Sequence, residues 1–119
     1  LSIPLQEKKS VYGDAFEHYI MMECVKLCYY FKTEYQLSYL KTKDGAEVDL
    51  VIERPGQPFL FIEIKSKKEV HRQNLGNLRV LSTSIGNCQA ICLSQDPFKK
   101  LIDDITVYPW KDGLREIFM

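Results

Sequence analysis

Three residues near the middle of the sequence have the types and the spacing needed for metal-dependent hydrolysis. Asp49 lies in the segment AEVDLVIE, and Glu63 and Lys65 lie in the next apolar segment, FLFIEIKS. Carboxylate oxygens are ligands that Mg²⁺ and Mn²⁺ prefer. Such an ion lowers the pKa of a water molecule, and a neighbouring lysine can orient that water and stabilise charge in the transition state. The pattern therefore predicts a site for phosphodiester hydrolysis.

The two segments that carry these residues are predicted to pair as an antiparallel hairpin with its turn near Gly56. Asp49 then lies across from Glu63, and Glu47 lies across from Lys65. Like charges on directly opposed residues destabilise a sheet, so the first pair indicates a cation between the two carboxylates. The alternatives are the solvent face of an amphipathic hairpin, or a register shifted by two residues that separates the pair.

Alternation of side chains along the two strands assigns the residues of the hairpin to two faces. We expect one face to be apolar and the other to carry the charges together with Val51, Phe59 and Phe61, so that the charged face is partly covered. The expected apolar face consists of Ala46, Val48, Leu50 and Ile52 opposite Leu60, Ile62 and Ile64.

The surrounding sequence predicts a single mixed α/β domain over residues 1–119. A helix is expected from about Tyr12 to Phe31, and a second helix is expected where Leu75, Leu78, Leu81 and Ile85 recur, ending at Gly86-Asn87. The predicted order is α-β-β-β-α-β-β-α. The five predicted strands are YQLSYLKT, AEVDLVIE, FLFIEIKS, CQAICLS and ITVYPW.

The arrangement of Asp49 and Glu63-Ile64-Lys65 on consecutive strands, after a helix that bears Glu17, resembles the PD-(D/E)XK nuclease superfamily. That group includes restriction endonucleases, Holliday-junction resolvases and RecB-type nuclease domains; Val48 replaces the proline that often precedes the aspartate. The resemblance implies a restriction-endonuclease-like mixed sheet, with a central antiparallel hairpin meander flanked by helices in an αβββαβ core. It also implies that Asp49 and Glu63 bind Mg²⁺ or Mn²⁺, that Glu17 is a further ligand, and that Lys65 is catalytic.

A longer resemblance covers most of the chain. The segments YGDAFEHYIMMEC, YLKTKDGAEVDLVIE, FIEIKSKK and ITVYPW are similar to the C-terminal domain, of unknown function, of a large family of prokaryotic AAA+ ATPases. The resemblance implies an ATPase module in the same chain. The sequence begins with Leu1 rather than Met, which agrees with a fragment of a longer protein. It has no glycine-rich phosphate loop, so we expect no ATPase activity from this part.

Basic and polar residues directly follow the Glu63-Ile64-Lys65 motif. Lys67, Lys68 and Arg72 are candidate contacts to a phosphate backbone, with a solvated loop as the alternative. RecB-type members use a glutamine in a comparable helix, and Gln73 occupies a similar place here, although the tyrosine that follows it by four residues in those proteins is absent.

The composition limits other classes of function. The net charge of zero argues against strong nucleic-acid binding by charge alone. No segment resembles a signal peptide or a membrane span, so we expect a cytoplasmic protein. The cysteines Cys24, Cys28, Cys88 and Cys92 have C-x3-C spacing, which differs from common zinc sites, and we interpret them as small buried hydrophobic residues.

Two hypotheses for the function follow from these observations. One is a divalent-metal-dependent nuclease associated with an AAA+ ATPase. The other is a catalytically inactive module that binds nucleic acid or protein, or that assembles the ATPase. The neutral charge favours the second hypothesis, whereas the complete set of Asp49, Glu63 and Lys65 favours the first.

Overall fold

A six-stranded mixed sheet with helices on both faces forms the centre of the fold. The structure is a computed structural model that describes the backbone of residues 5–119 and the side chains of residues 12–119. The elements are α1 (Leu5–Phe31), β1 (Gln36–Lys41), β2 (Glu47–Glu53), β3 (Phe59–Lys65), a 3₁₀ turn (Arg72–Leu75), α2 (Gly76–Ile85), β4 (Cys88–Ser94), β5 (Lys100–Ile102), β6 (Ile105–Pro109) and α3 (Trp110–Phe118).

The strands follow the order β1-β2-β3-β4-β6-β5 across the sheet. The first three strands form an antiparallel meander. β4 then pairs parallel to β3, and β6 pairs parallel to β4, while β5 is an antiparallel edge strand. The prediction of a mixed α/β domain with an antiparallel meander and flanking helices is confirmed. Within the described part of the chain, no helix has both the length and the apolar composition required to cross a membrane.

Two apolar layers hold the helices against the sheet. On one face, α1 and α3 pack against the sheet through buried residues such as Ile20 and Phe118. On the other face, α2 packs through Leu78 and Leu81. Burial of apolar area on both faces of one sheet stabilises the whole domain. It also fixes the positions of α1 and of the strand ends, which carry the candidate site.

The predicted turns are confirmed by the backbone. Gly45, in the KDG turn between β1 and β2, and Gly56, in the RPGQP turn between β2 and β3, both have positive φ angles, of 89° and 74°. A residue with a Cβ atom disfavours this left-handed region, so glycine suits both turns. These turns fix the lengths of the three antiparallel strands.

Two predictions about element boundaries are wrong. The first helix begins at Leu5, not near Tyr12. The polar residues before Tyr12 show no apolar periodicity, so the sequence did not indicate that the helix begins earlier. The sheet has a sixth strand, β5 (Lys100–Ile102), in a segment predicted to be a connection. Three residues are too few for an alternating pattern to be recognised.

β2 contains one more residue than β1 in the segment where they pair. Ser38 pairs with Val51 and Leu40 pairs with Val48, so two steps along β1 correspond to three steps along β2. Such a bulge changes the face to which the following side chains point. Val48 consequently packs with Val51 in the layer next to α2, whereas Leu50 packs in the layer next to α1.

The bulge corrects the predicted assignment of faces. Ala46 and Val48 were expected to share an apolar face with Leu50 and Ile52, and they lie instead in the opposite layer. Apolar residues occur on both faces of β2, so the apolar pattern contains no trace of the extra residue. Asp49 lies within the bulged segment, and its side chain forms a hydrogen bond with Glu17 of α1.

We predict that Gly113→Ala destabilises the protein by about 2 kcal/mol, because its added Cβ overpacks a buried contact. A Cβ atom at this position of α3 would overlap the side chain of Leu93 and press against Tyr108. Gly76→Ala is the matched control, since Gly76 is also helical and a Cβ there meets no atom within 4 Å. Urea denaturation measures both variants. Equal midpoints for Gly113→Ala and Gly76→Ala would contradict the close packing of α3.

Candidate functional site

The candidate site lies where β2 and β3 separate. The paired residues are Ile52 with Leu60, Val51 with Phe61, and Leu50 with Ile62, which is the predicted register. The next pair in this register would be Asp49 with Glu63, but the paired part of the two strands ends before it. The Ile64 N–H instead donates a hydrogen bond to Oδ2 of Asp49, at 2.8 Å. The carboxylate of Asp49 therefore bridges the gap between the two strands.

Glu63 is a buried carboxylate with only one of its oxygens paired. The residue is 8% exposed, and its Oε1 lies 3.2 Å from Nζ of Lys65. Its Oε2 is buried and has no hydrogen-bond partner among the described residues. The pKa of Glu63 is raised to about 7, mainly by burial and also by the charge of Asp49, although Lys65 opposes the rise. An unpaired buried oxygen indicates a missing partner, such as a cation or a water molecule.

Glu17 extends from α1 to the same carboxylates. Its pKa is raised to about 7, mainly by burial, and the side-chain hydrogen bond with Asp49 and the charges of Asp49 and Glu63 contribute to the same rise. Two carboxyl groups share a hydrogen bond only when one of them holds a proton. The Glu17 carboxyl therefore holds its proton more tightly than a free glutamate when no cation is bound, because its pKa is raised.

Lys65 pairs with one of these acids. Lys65 and Glu63 are two residues apart on β3, so their side chains lie on the same side of the strand and pair. Glu47, which the predicted register places across from Lys65, pairs with a different lysine. Glu47 is exposed, and its Oε1 lies 3.5 Å from Nζ of Lys41 on β1. The ammonium of Lys65 therefore remains beside Glu63.

The predicted nucleic-acid contacts are divided between two places. Lys67 and Lys68 are exposed and follow the end of β3 directly. Arg72 instead forms an ion pair with Asp103, with Nε and Oδ2 3.0 Å apart. It lines a cavity of about 930 Å³ at the beginning of β4 and β6. Gln73 is exposed in the 3₁₀ turn. Only the two lysines thus lie next to the strand end that carries Glu63 and Lys65.

The four cysteines are free thiols that pack in the two apolar layers. Burial raises the pKa values of Cys24 and Cys92 to about 12. Both thiols are therefore neutral at physiological pH, and a neutral thiol is a poor nucleophile and a poor metal ligand. The interpretation as small buried hydrophobic residues is confirmed for Cys24, Cys28 and Cys92, whereas Cys88 is only partly buried.

The donor atoms at the site fit a hard divalent cation. Asp49 and Glu63 offer carboxylate oxygens, and the buried Oε2 of Glu63 has no other partner among the described residues. Within residues 12–119, no three His, Cys, Asp or Glu side chains are grouped so that they could hold a metal ion together. Mg²⁺ and Mn²⁺ suit such a small set of ligands, because they retain several water molecules when bound.

A buried acid that the sequence analysis missed stabilises the neighbouring loop. Asp96 follows β4 and accepts hydrogen bonds from the backbone N–H groups of Val70 and Phe98, at 3.2 and 3.0 Å. Burial alone would raise its pKa, but hydrogen bonds from Lys100, Phe98 and Val70 lower it below the usual value. In the sequence, Asp96 could have been recognised as a loop-stabilising residue because it comes just after a predicted strand and directly before Pro97. Asp96 connects the loops that follow β3 and β4.

The comparisons with known proteins give one match. Residues 12–112 match the family described as Domain of unknown function (DUF4143). No curated protein matches the chain, and no solved structure matches it. The matched region contains α1 from residue 12 onwards, all six strands and the four residues Glu17, Asp49, Glu63 and Lys65. The chain belongs to the DUF4143 family.

Proposed function

We propose that this domain is a divalent-metal-dependent nuclease with a restriction-endonuclease-like fold. The observation that carries the proposal is the group formed by Asp49, Glu63 and Lys65 where β2 and β3 separate, with Glu17 beside it. Three carboxylates near one another repel when ionised, and a single lysine does not neutralise them. A bound cation would remove that cost. The order of the elements, with the acids on consecutive strands after a helical glutamate, agrees with the PD-(D/E)XK arrangement.

Each residue has a distinct role in the proposed hydrolysis. Asp49 and Glu63 would hold Mg²⁺ or Mn²⁺, and the bound ion would supply positive charge and lower the pKa of the attacking water. Lys65 donates hydrogen bonds that orient this water and stabilise the negative charge growing on the phosphate oxygens. Glu17, whose pKa is about 7, can accept a proton from the water at its carboxylate. The water oxygen bonds to phosphorus as the P–O bond to the leaving group breaks.

The resemblance to the C-terminal domains of AAA+ ATPases supports two broader parts of the proposal. We propose that the domain works in the cytoplasm beside an ATPase module in the same chain, which would move or remodel the nucleic acid before cleavage. Lys67 and Lys68 are the proposed phosphate contacts next to the acids. Arg72 is not proposed for that role, because Asp103 already pairs with it.

The test of the proposed function combines metal binding with cleavage. Millimolar Mn²⁺ should raise the melting temperature of the wild-type protein by mass action, and single- or double-stranded DNA or RNA should be hydrolysed. The Asp49→Asn variant keeps an oxygen that can accept the hydrogen bond from Ile64, so its fold should be retained. We expect this variant to be more stable than the wild type in a chelator, by about 1 kcal/mol, and to lose the response to Mn²⁺.

The outcomes of this test separate the two hypotheses for the function. A wild-type protein whose melting temperature does not respond to Mg²⁺ or Mn²⁺ would remove the proposed metal site. A response to metal without hydrolysis of any substrate, even with the ATPase module present, would favour the catalytically inactive binding module. Glu53→Gln is a suitable control, because Glu53 is an exposed acid at the other end of β2.

A further inference from the structure

A cavity of about 320 Å³ lies beside the candidate site, where β4 and β6 end. Its walls come from the residues that follow these strands, including Gln95, Pro97, Trp110 and Lys111. The carboxyl ends of strands in α/β sheets are where ligands most often bind. This cavity therefore lies at the edge of the sheet where a bound substrate is expected.

The strand pairing gives the distance between this cavity and the catalytic group. Lys65 pairs with Ser94 on β4, and Ser94 pairs with Pro109 on β6. Neighbouring strands lie about 5 Å apart, so Trp110, which follows Pro109, is roughly 10 Å from the end of β3. A nucleic-acid strand rises about 3.4 Å per nucleotide when stacked, so roughly two or three nucleotides span this distance.

One lysine, Lys111, lines the cavity, and other exposed lysines lie on the segments that follow β3 and β4. Lys67, Lys68, Lys99 and Lys111 are all exposed at this edge, in a chain whose net charge is zero. Two of the acids nearby pair with cations: Asp96 lies 2.7 Å from the ammonium of Lys100, and Asp112 lies 3.8 Å from the guanidinium of Arg115. The exposed lysines can therefore contact a phosphate backbone at this edge.

Aromatic side chains accompany these lysines. Trp110 forms part of the cavity wall, and the ammonium of Lys111 lies 5.4 Å from the centre of its ring. Phe98 is 74% exposed on the adjoining loop. Tyr12 is 55% exposed, and its hydroxyl accepts a hydrogen bond from the amide of Gln95 at 2.7 Å. Aromatic rings next to lysines are the usual elements of sites for unpaired nucleotides.

We propose that this cavity is a subsite for single-stranded nucleic acid, in which one unpaired base stacks on Trp110. Lys111 leaves the indole ring and binds a phosphate as the base arrives, while Lys67 and Lys99 bind neighbouring phosphates. Gln95 contributes an amide for hydrogen bonds to the base. The inference rests on the proposed nuclease function and specifies its substrate: the strand next to the cleaved bond is unpaired.

The single tryptophan of the chain gives a direct measurement of this stacking. Oligo(dT) or oligo(rU) should quench the fluorescence of Trp110 in a saturable way, in a chelator and without any cleavage. A duplex of equal length and inorganic polyphosphate should leave the fluorescence nearly unchanged, because neither offers an unpaired base. Equal quenching by the duplex or by polyphosphate would overturn the proposal, and so would the absence of quenching by both single strands.

Variants test the contributions to affinity with a labelled oligonucleotide. Trp110→Leu should weaken binding about 10-fold, because stacking on one ring contributes roughly 1–3 kcal/mol. Trp110→Phe should retain most of the affinity, and it controls for packing of the partly buried ring. Lys111→Ala should reduce the dependence of log Kd on log salt by about 0.7, the value expected for one phosphate contact on a single strand. Tyr39→Ala, an exposed aromatic residue on β1, should have no effect.

These measurements separate the subsite from the nuclease function. Quenching and the Trp110 effects without cleavage under any metal condition would support the subsite while contradicting the nuclease. Cleavage that is unaffected by Trp110→Leu, together with unchanged binding, would support the nuclease and overturn the subsite. Stronger quenching by oligo(rU) than by oligo(dT), or the reverse, supports the subsite and identifies which sugar it prefers.

Discussion

Replacing Lys65 with alanine should reduce phosphodiester hydrolysis by about 10²–10³-fold, the usual loss when one donor to a developing negative charge is removed. The ammonium of Lys65 lies 3.2 Å from Glu63 and is the cation paired with the carboxylates in the described part of the chain. Its role lies in the transition state, so Lys65→Ala should still respond to Mn²⁺. Measurements of the initial rate and of the melting temperature, each with and without Mn²⁺, test this expectation.

Two control variants show whether a loss of activity is specific to Lys65. Lys26→Ala removes an exposed lysine on α1 whose partner is Glu23, and it should leave the rate unchanged. Lys67→Ala removes a proposed phosphate contact, and it should raise KM with little change in kcat, because that contact binds the substrate and the transition state equally. A Lys65→Ala variant that retains the wild-type kcat would exclude the lysine from the chemistry.

The central hairpin could be predicted from the sequence because several local signals agreed. Two strand-length apolar segments flank a Pro-Gly turn. The expected register is the one observed in the structure, where Leu50 pairs with Ile62 and Ile52 pairs with Leu60. The separation of the strands beyond Leu50 was not predictable in the same way. It depends on the Asp49 carboxylate, which accepts the Ile64 N–H, and the residue spacing alone does not specify that bond.

The bulge in β2 shows why the faces were partly misassigned. Ala46, Val48, Leu50 and Ile52 form an uninterrupted alternating series, yet the series changes face between Val48 and Leu50. The extra residue is visible only in the pairing with β1, where Ser38 and Leu40 define the register. The alternation of apolar residues within one strand does not show whether that strand has an extra residue relative to the strand beside it.

Distant ion pairs were the other part that the sequence did not reveal. Arg72 follows the motif closely enough to resemble a substrate contact, but its partner, Asp103, is 31 residues further along the chain. Glu17 is the opposite case. The resemblance to PD-(D/E)XK nucleases implied that it lies near Asp49 as a further metal ligand. The structure places it beside Asp49.

Glu63 should make the metal-free protein less stable as pH rises. The pKa of Glu63 is raised from an ordinary value of 4.5 to about 7. Below pH 4.5 the group is protonated in both states, so the stabilisation is complete. Between pH 4.5 and 7 the unfolded chain releases the proton and the folded chain retains it, so the free energy of unfolding falls with rising pH. The total loss is on the order of 3 kcal/mol, since each tenfold change in proton affinity corresponds to about 1.36 kcal/mol.

Glu63→Gln removes this titration and provides the test. In a chelator, urea denaturation from pH 5 to pH 8 should show a decline in wild-type stability, and the decline should be much smaller in the variant. Glu17 is expected to leave a residual slope, because its pKa is also raised to about 7. Glu53→Gln, which changes an exposed acid, should follow the wild type.

Added Mn²⁺ should reverse the sign of this pH dependence in the wild type. A metal ion binds the ionised carboxylates, so binding competes with protons and strengthens as pH rises. The stability gained from the ion then increases over the range where the metal-free protein loses stability. Glu63→Gln should show neither trend. Identical pH profiles for the wild type and Glu63→Gln in the chelator would mean that Glu63 is ionised at neutral pH without help from a cation. The electrostatic reason for placing a metal ion between Asp49 and Glu63 would then be lost.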